Sequence, residues 1–394
     1  MRNPLNRKVQ NIKPSGIRRF FEIASEIPGV ISLGVGEPDF DTPWIVRDEG
    51  MYSLQKGNTF YTANAGLLEL RHEISRYLKR RYQLHYRAAD EILVTVGGSE
   101  AIDLALRAMV DPGDEVIFLE PCYVSYLPCI ILADGSPISI SLKEEHQFKL
   151  QPEELEAAIT PKTKIVILSY PNNPTGAVMG KDDLERIAKI IVDHDLFVIS
   201  DEIYSELSYQ EHHISIASLP GMKERTIVIN GFSKGFAMTG WRLGYAAAPT
   251  IIMNEMVKIH QFAIMAAPTV SQYAGIVALR DCDREVKEMR ESYNQRRRFL
   301  MKAMKDLAIP CFEPYGAFYI FPNITEFGLS SEEFATTLVQ EEKVAVVPGS
   351  AFGESGEGFI RISYAYSIDE LKEAFVRLER FISKCRNDKE KIGV

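Results

Sequence analysis

Cysteine is scarce and poorly placed for cross-links. There are five (Cys122, Cys129, Cys282, Cys311, Cys385), an odd number, with no C-x-x-C pair. A disulfide framework is excluded, and unpaired thiols suit a reducing cytosol. No apolar run approaches the length of a membrane span. The opening MRNPLNRKVQNIKPSG has no apolar core of the kind a secretory signal carries. The expectation is a cytoplasmic protein. Basic runs interleaved with aromatics are also missing, and the formal net charge is −9. Nucleic acid and anionic membrane are therefore poor partners. There is no internal repeat and no low-complexity segment. The pair His212–His213 has no companion ligands at H-E-x-x-H or Cys/His spacing, so it reads as surface histidine and no metal is expected.

What is present is ordinary for a globular chain. The 394 residues are 46% hydrophobic and 25% charged, enough for one large domain and a smaller one. The middle of the chain alternates short Val/Ile-rich blocks with helical spacing. The blocks EILVTV (91–96), DEVIFLE (114–120), TKIVILSY (163–170), LFVIS (196–200), RTIVING (225–231) and RLGYAAA (242–248) read as strands. SEAIDLALRAMV and KDDLERIAKIIVDHD read as helices between them. Continuous apolar strands are buried on both faces, which predicts an α/β domain with a mostly parallel, doubly wound sheet. After about residue 283 the pattern changes. A long charged helix (283–307) leads into GAFYIFP, KVAVVP and GFIRISYA, which read as strands, then a final helix and a frayed tail at 385–394. This predicts a smaller α+β domain over 284–394, a large domain over 46–283, and an arm over 1–45 that rejoins the small domain.

Three polar stretches follow strands of the large domain. VTVGGSEAIDLAL is strand, small-residue turn and helix. A helix N-terminus carries free N–H groups and partial positive charge, Gly97 and Gly98 permit close approach, and Ser99 can donate, so an anion such as a phosphate fits there. Asp201 ends LFVIS, where open α/β sheets bind ligands. In NGFSKGFAMTGWRLGY, Lys234 sits in a Gly/Ser-flanked turn and Arg242 follows eight residues later. A half-buried lysine loses charge stabilisation and becomes a nucleophile toward an aldehyde. An amine, a phosphate cradle and a carboxylate are what an aldehyde cofactor with a pyridine ring and a phosphate requires.

Together with GEPDFDTP, YTANAGLLELR, PCYVSY, PNNPTG, SDEIY, GAFYIF, VVPGSAFG and FIRISYA, these stretches resemble the fold-type I, class I/II pyridoxal-phosphate aminotransferases, in the bacterial aspartate and aromatic subgroup, from about Pro14 to Ser383. The resemblance implies transfer of an amino group from an L-amino acid to a 2-oxo acid by a homodimer. It implies that Lys234 is the Schiff-base and proton-carrying lysine and that Asp201 partners the pyridine nitrogen. Asn173 and Tyr204 then donate to the ring's phenolate oxygen, and Tyr123 stacks on the ring. Gly98, Ser99, Ser233 and Arg242 hold the phosphate, with Tyr61 reaching it from the other subunit. Arg361 grips the substrate α-carboxylate, under a loop that contains Gly36. A dicarboxylic substrate wants a further cation, for which Arg18 and Arg19 are candidates. One departure stands out: many relatives carry serine three residues before the lysine, where this chain has Gly231.

Two rival chemistries remain at this point. A β C–S lyase would use the same cofactor and fold without a 2-oxo acid acceptor. A serine hydrolase would use Ser99 in G-G-S-E-A, but needs a histidine late in the chain, and the last one is His260. SLQK (53–56) lacks the partner motifs of penicillin-binding enzymes. LGVGEPD lacks the third glycine of a dinucleotide fingerprint.

Overall fold

A computed structural model describes residues 2–14, 16–17, 27–210 and 212–392, with only the backbone path for 389–392. Twelve strands follow in chain order. The first six are β1 (Ile31–Ser32), β2 (Ile92–Thr95), β3 (Glu115–Glu120), β4 (Ser136–Ser141), β5 (Thr163–Ser169) and β6 (Phe197–Asp201). The others are β7 (Thr226–Gly231), β8 (Gly244–Ala247), β9 (Tyr319–Ile320), β10 (Val344–Ala345), β11 (Val347–Pro348) and β12 (Ile360–Ser363).

Seven strands form one sheet in the order β2-β8-β7-β6-β5-β3-β4. Neighbouring pairs from β7 to β4 are parallel, while β8 runs antiparallel to both β2 and β7. The reversal has a local cause. A parallel return needs a long crossover, usually a helix. The connection 232–243 is spent on turns instead, so β8 comes back beside β7 in the opposite sense. Apolar side chains fill both faces of the sheet. Val228, Tyr245 and Ala247 pack on one side, and Ile199, Ile227 and Ile229 on the other. The helix Lys181–Asp193 shows how the flanking layer forms: Leu184, Ile187, Ala188 and Ile191 recur at helical spacing and are buried, while the opposite face is charged.

The expected strand blocks of the sheet all form, but β4 was not anticipated. Its sequence SPISIS is an edge strand with mostly exposed side chains and a proline, so it has no continuous apolar run. In the C-terminal part, the helix Asp283–Asp306 appears as expected. KVAVVP is not one strand. It splits at Val346 into β10, which pairs with β1, and β11, which joins the antiparallel sheet β11-β12-β9. The frayed tail is corrected: the last helix continues without a break through Ile392. The N-terminal segment meets the C-terminal strands through the β1–β10 pair and through Ser363 N–H donating to Leu33 O.

Candidate active site

Adjacent parallel strands β5, β6 and β7 end at Ser169, Asp201 and Gly231, so the three turns that follow face one crevice. Asp201 is the last residue of β6. Its carboxylate accepts from Tyr126 Oη (2.7 Å) and from the N–H of Ile203 (3.2 Å). Burial pushes this carboxyl up, against the downward pull of those two donors. Its environment favours a proton or a protonated partner. Tyr204, one turn on, shares a 2.7 Å hydrogen bond with Tyr319 Oη. After β5, Asn172 holds the turn by accepting from the N–H (3.2 Å) and hydroxyl (2.8 Å) of Thr175. Asn173 is thereby free to face Arg361, whose guanidinium donates to its Oδ1 at 2.8 Å.

Lys234 occupies the first turn after β7. Its Nζ donates to Gly36 O at 2.5 Å and stands 5.8 Å from the ring centres of Tyr204 and Phe318. Burial, then the charge of Arg361, bring its pKa down from 10.5 to about 8. Glu37 and Asp201 act in the opposite direction. Arg242 donates to Thr239 O at 3.2 Å and lies against the start of the helix Gly98–Met109. There Gly97 has φ +78°, and a Cβ on it would come 2.8 Å from the Arg242 guanidinium. Only glycine lets the two approach so closely. Ser99 Oγ lies 3.2 Å from Tyr123 Oη.

Arg361, on β12, is buried between the rings of Tyr319 (4.3 Å) and Phe352 (4.7 Å). It donates to Gly34 O and Asn173, while its Nε has no hydrogen-bond partner among the described residues. A cavity of about 400 Å³ brings together Gly36, Gly98, Ser99, Tyr123, Asn173, Asp201, Tyr204, Ser233, Lys234, Arg242 and Arg361. Tyr61 does not line it; that side chain is 82% exposed. Arg18 and Arg19 lie outside the described residues, directly after Ile17, which does line the cavity.

Sequence reasoning did not single out Tyr126, Glu37, Thr239 or Tyr319, all of which line the same cavity. Tyr126 and Tyr319 stand inside the quoted stretches PCYVSY and GAFYIF, so the signal was present without a role attached. The surface reading of His212–His213 is half corrected. His212 is exposed, but the His213 side chain is only 9% exposed, because tertiary packing sets it 3.0 Å from Glu202 and edge-on to the ring of Tyr82. The hydrolase rival finds no base. His260 is buried and pairs with Glu100 (2.6 Å), and Ser99 contacts a tyrosine. The unusual Gly231 has a steric reason: a Cβ there would lie 3.1 Å from both Gly244 Cα and Leu243 O.

These residues fit pyridoxal phosphate. The free N–H groups of the helix start, two serines and Arg242 form an anion cradle at one end. The buried Asp201 calls for a cationic partner, and a lysine of lowered pKa lies between.

The family model for aminotransferase class I and II matches residues 28–378. YugH of Bacillus subtilis, whose name proposes an aminotransferase and states no substrate, is 53% identical over 98% of this chain and 100% of its own. An aspartate aminotransferase of Pyrococcus abyssi is 47% identical, covering 94% of this chain and 96% of its own. The crystal structure of an aromatic aminotransferase from Pyrococcus horikoshii superposes with a TM-score of 0.89 at 46% identity, over 94% of this chain and 99% of that one. Aminotransferase names recur across these relatives, which favours amino transfer over the lyase. This chain belongs to the class I and II aminotransferases, enzymes that depend on pyridoxal phosphate.

Proposed function

We propose the following roles within the aminotransferase reaction. Bound pyridoxal phosphate supplies an aldehyde that condenses with amines and a ring that withdraws electrons from the substrate Cα. Ser99, Ser233, Arg242 and the N–H groups at Gly98 hold its phosphate. Asp201, kept in place by Tyr126, holds the ring nitrogen protonated. Asn173 and Tyr204 bind the ring oxygen, and Tyr123 covers the ring face. Lys234 Nζ is the covalent anchor and moves the proton at the substrate Cα. Arg361 orients the substrate through its α-carboxylate, and the segment with Gly36 closes over it and excludes water. The observation that carries this reading is Lys234, with a pKa of about 8, in the same cavity as Asp201, Arg242 and Arg361.

We also propose that residues 1–45 form an arm joined to a small domain (284–394), that 46–283 form the cofactor domain, and that the enzyme is a cytoplasmic homodimer. Tyr61 would then complete the phosphate site of the partner. The substrates are an amino acid and a 2-oxo acid. The cavity's cations among the described residues are Lys234, Arg242 and Arg361, each already engaged. A dicarboxylic donor therefore requires a cation from elsewhere, and Arg18 and Arg19 are the candidates.

The test supplies purified enzyme with aspartate, phenylalanine and an N-acyl-diaminopimelate, each with and without 2-oxoglutarate. Amine transfer is expected only with the acceptor. Lys234→Ala is expected to lose about a thousandfold or more in kcat. Ammonia release without acceptor, or a fully active Lys234→Ala, overturns the assignment.

A further inference from the structure

Tyr319 lines the reaction cavity, and the proposed roles leave it without a task. It stands on β9 and is 1% exposed. Its partner across the sheet is Ser363, and Arg361 lies two residues before Ser363 on the same face of β12. A diagonal neighbour of this kind is within reach of an aromatic ring. The Tyr319 ring accordingly covers the Arg361 guanidinium at 4.3 Å from its centre, and Phe352 provides a second ring at 4.7 Å.

The hydroxyl of Tyr319 meets two further groups. It shares a 2.7 Å hydrogen bond with Tyr204 Oη, in which either oxygen can be the donor. It also stands where a side chain at position 36 would have to go. The three atoms nearest to a Cβ on Gly36 would all belong to Tyr319, and the hydroxyl oxygen would overlap it. Gly36 has no left-handed φ, so its backbone would accept alanine. The obstacle to a larger residue there is the Tyr319 hydroxyl.

A phenol hydroxyl donates one hydrogen bond and can also accept. In the proposed roles Tyr204 donates to the ring oxygen of pyridoxal phosphate. Its own oxygen is then left to accept, and Tyr319 becomes the donor. A hydroxyl that accepts a hydrogen bond is polarised and donates more strongly. We propose that Tyr319 is a positioning residue with two separable parts: its hydroxyl donates to Tyr204 and so strengthens the hold of Tyr204 on the cofactor's ring oxygen, and its ring fixes the plane in which the Arg361 guanidinium meets the substrate carboxylate. Both parts rest on the roles proposed for Tyr204 and Arg361.

Tyr319→Phe removes the hydroxyl and keeps the ring. A weaker donor at the ring oxygen stabilises its deprotonated form less, so the proton is held to higher pH. The pH midpoint of the loaded enzyme's visible absorbance is expected to move up by about half a unit, with KM for the amino donor within about twofold of the parent's. Tyr319→Leu removes the ring as well. It should show the same absorbance shift and a KM raised about five- to tenfold, because the guanidinium loses one of its two rings. An unmoved midpoint in Tyr319→Phe overturns the part played by the hydroxyl. A KM in Tyr319→Leu equal to that of Tyr319→Phe overturns the part played by the ring. Should Tyr319→Leu not fold, Tyr319→Met is read by the same KM.

Gly36→Ala reaches the same hydroxyl from the opposite side. In the parent it displaces the hydroxyl from Tyr204 and is expected to raise the midpoint at least as far as Tyr319→Phe does. In the Tyr319→Phe background it should add little, because the atom it would strike is gone. Equal shifts in the two backgrounds sink the contact. Tyr204→Phe, measured alongside, separates this proposal from the reading beneath it. If Tyr204→Phe moves the midpoint and Tyr319→Phe does not, the hydroxyl's part fails and the role of Tyr204 stands. If Tyr204→Phe leaves the midpoint where it was, the ring-oxygen role of Tyr204 falls, and the hydroxyl's part with it.

Discussion

In the proposed roles, Lys234 is the residue on which the chemistry turns, and its protonation can be reasoned through. Only the free amine attacks an aldehyde. With a pKa of about 8 in place of 10.5, roughly a tenth of the amines are free at pH 7, against fewer than about one in a thousand for an exposed lysine. The rate at which cofactor-free enzyme captures pyridoxal phosphate is therefore expected to rise with pH through a midpoint near 8, followed by stopped-flow absorbance. Arg361 depresses this pKa by its like charge, so Arg361→Leu should move the midpoint to higher pH. A midpoint near 10.5 in the parent would mean that the amine is solvated. At this scale, legibility depended on locality. Lys234, Arg242 and Asp201 stand in short, distinctive stretches. Tyr126 could not be assigned a role because its contact with Asp201 joins positions 75 apart, which sequence spacing does not reveal. His213 misled for a related reason. Its neighbour in the chain is exposed, and its own burial comes from tertiary packing against Glu202.

Among the elements, the turn into the helix Gly98–Met109 is the centre of the proposed phosphate cradle. Gly97 combines a left-handed φ of +78° with the guanidinium of Arg242 at the place its side chain would occupy. Gly97→Ala therefore strains the backbone and displaces Arg242 from the helix start at once. The expected outcome is at least a tenfold weaker affinity for pyridoxal phosphate, measured by fluorescence titration of the cofactor-free enzyme, with a smaller loss in fold stability of about 1–2 kcal/mol. An affinity equal to the parent's would remove Gly97 and Arg242 from the cradle. Elements that carry their own pattern were readable in the sequence, above all the doubly buried β3, β5, β6 and β7. What a neighbour decides was not. The edge strand β4 forms on β3 in spite of its serines, and KVAVVP, readable as strand, divides into β10 and β11 because each half pairs with a different partner.

At the scale of the whole molecule, one face of the chain gathers exposed apolar side chains. Trp44, Leu54, Phe60, Tyr61, Phe262 and Met265 are all exposed. They share a surface because Thr269 donates to Phe60 O (2.7 Å), Asn64 donates to Met265 O (2.8 Å), and the helix Trp44–Gln55 packs on Thr269–Asp281. An apolar face of this kind favours self-association, and in a two-fold dimer each copy offers the other the same residues. Tyr61 then has a destination outside its own chain, which mixing can test. Lys234→Ala is inactive in every site. In the proposed dimer, Tyr61→Ala lacks a phosphate ligand and, at limiting cofactor, is expected to be largely empty. In a mixed dimer, the site built on the Tyr61→Ala chain keeps its own lysine and receives Tyr61 from the Lys234→Ala chain. Half of the dimers are mixed after equal exchange, and each has one complete site. The mixture should thus regain about a quarter of the parental activity, well above the mean of its two components. If Tyr61 served only its own chain, no combination would build a complete site, and exchange would add nothing.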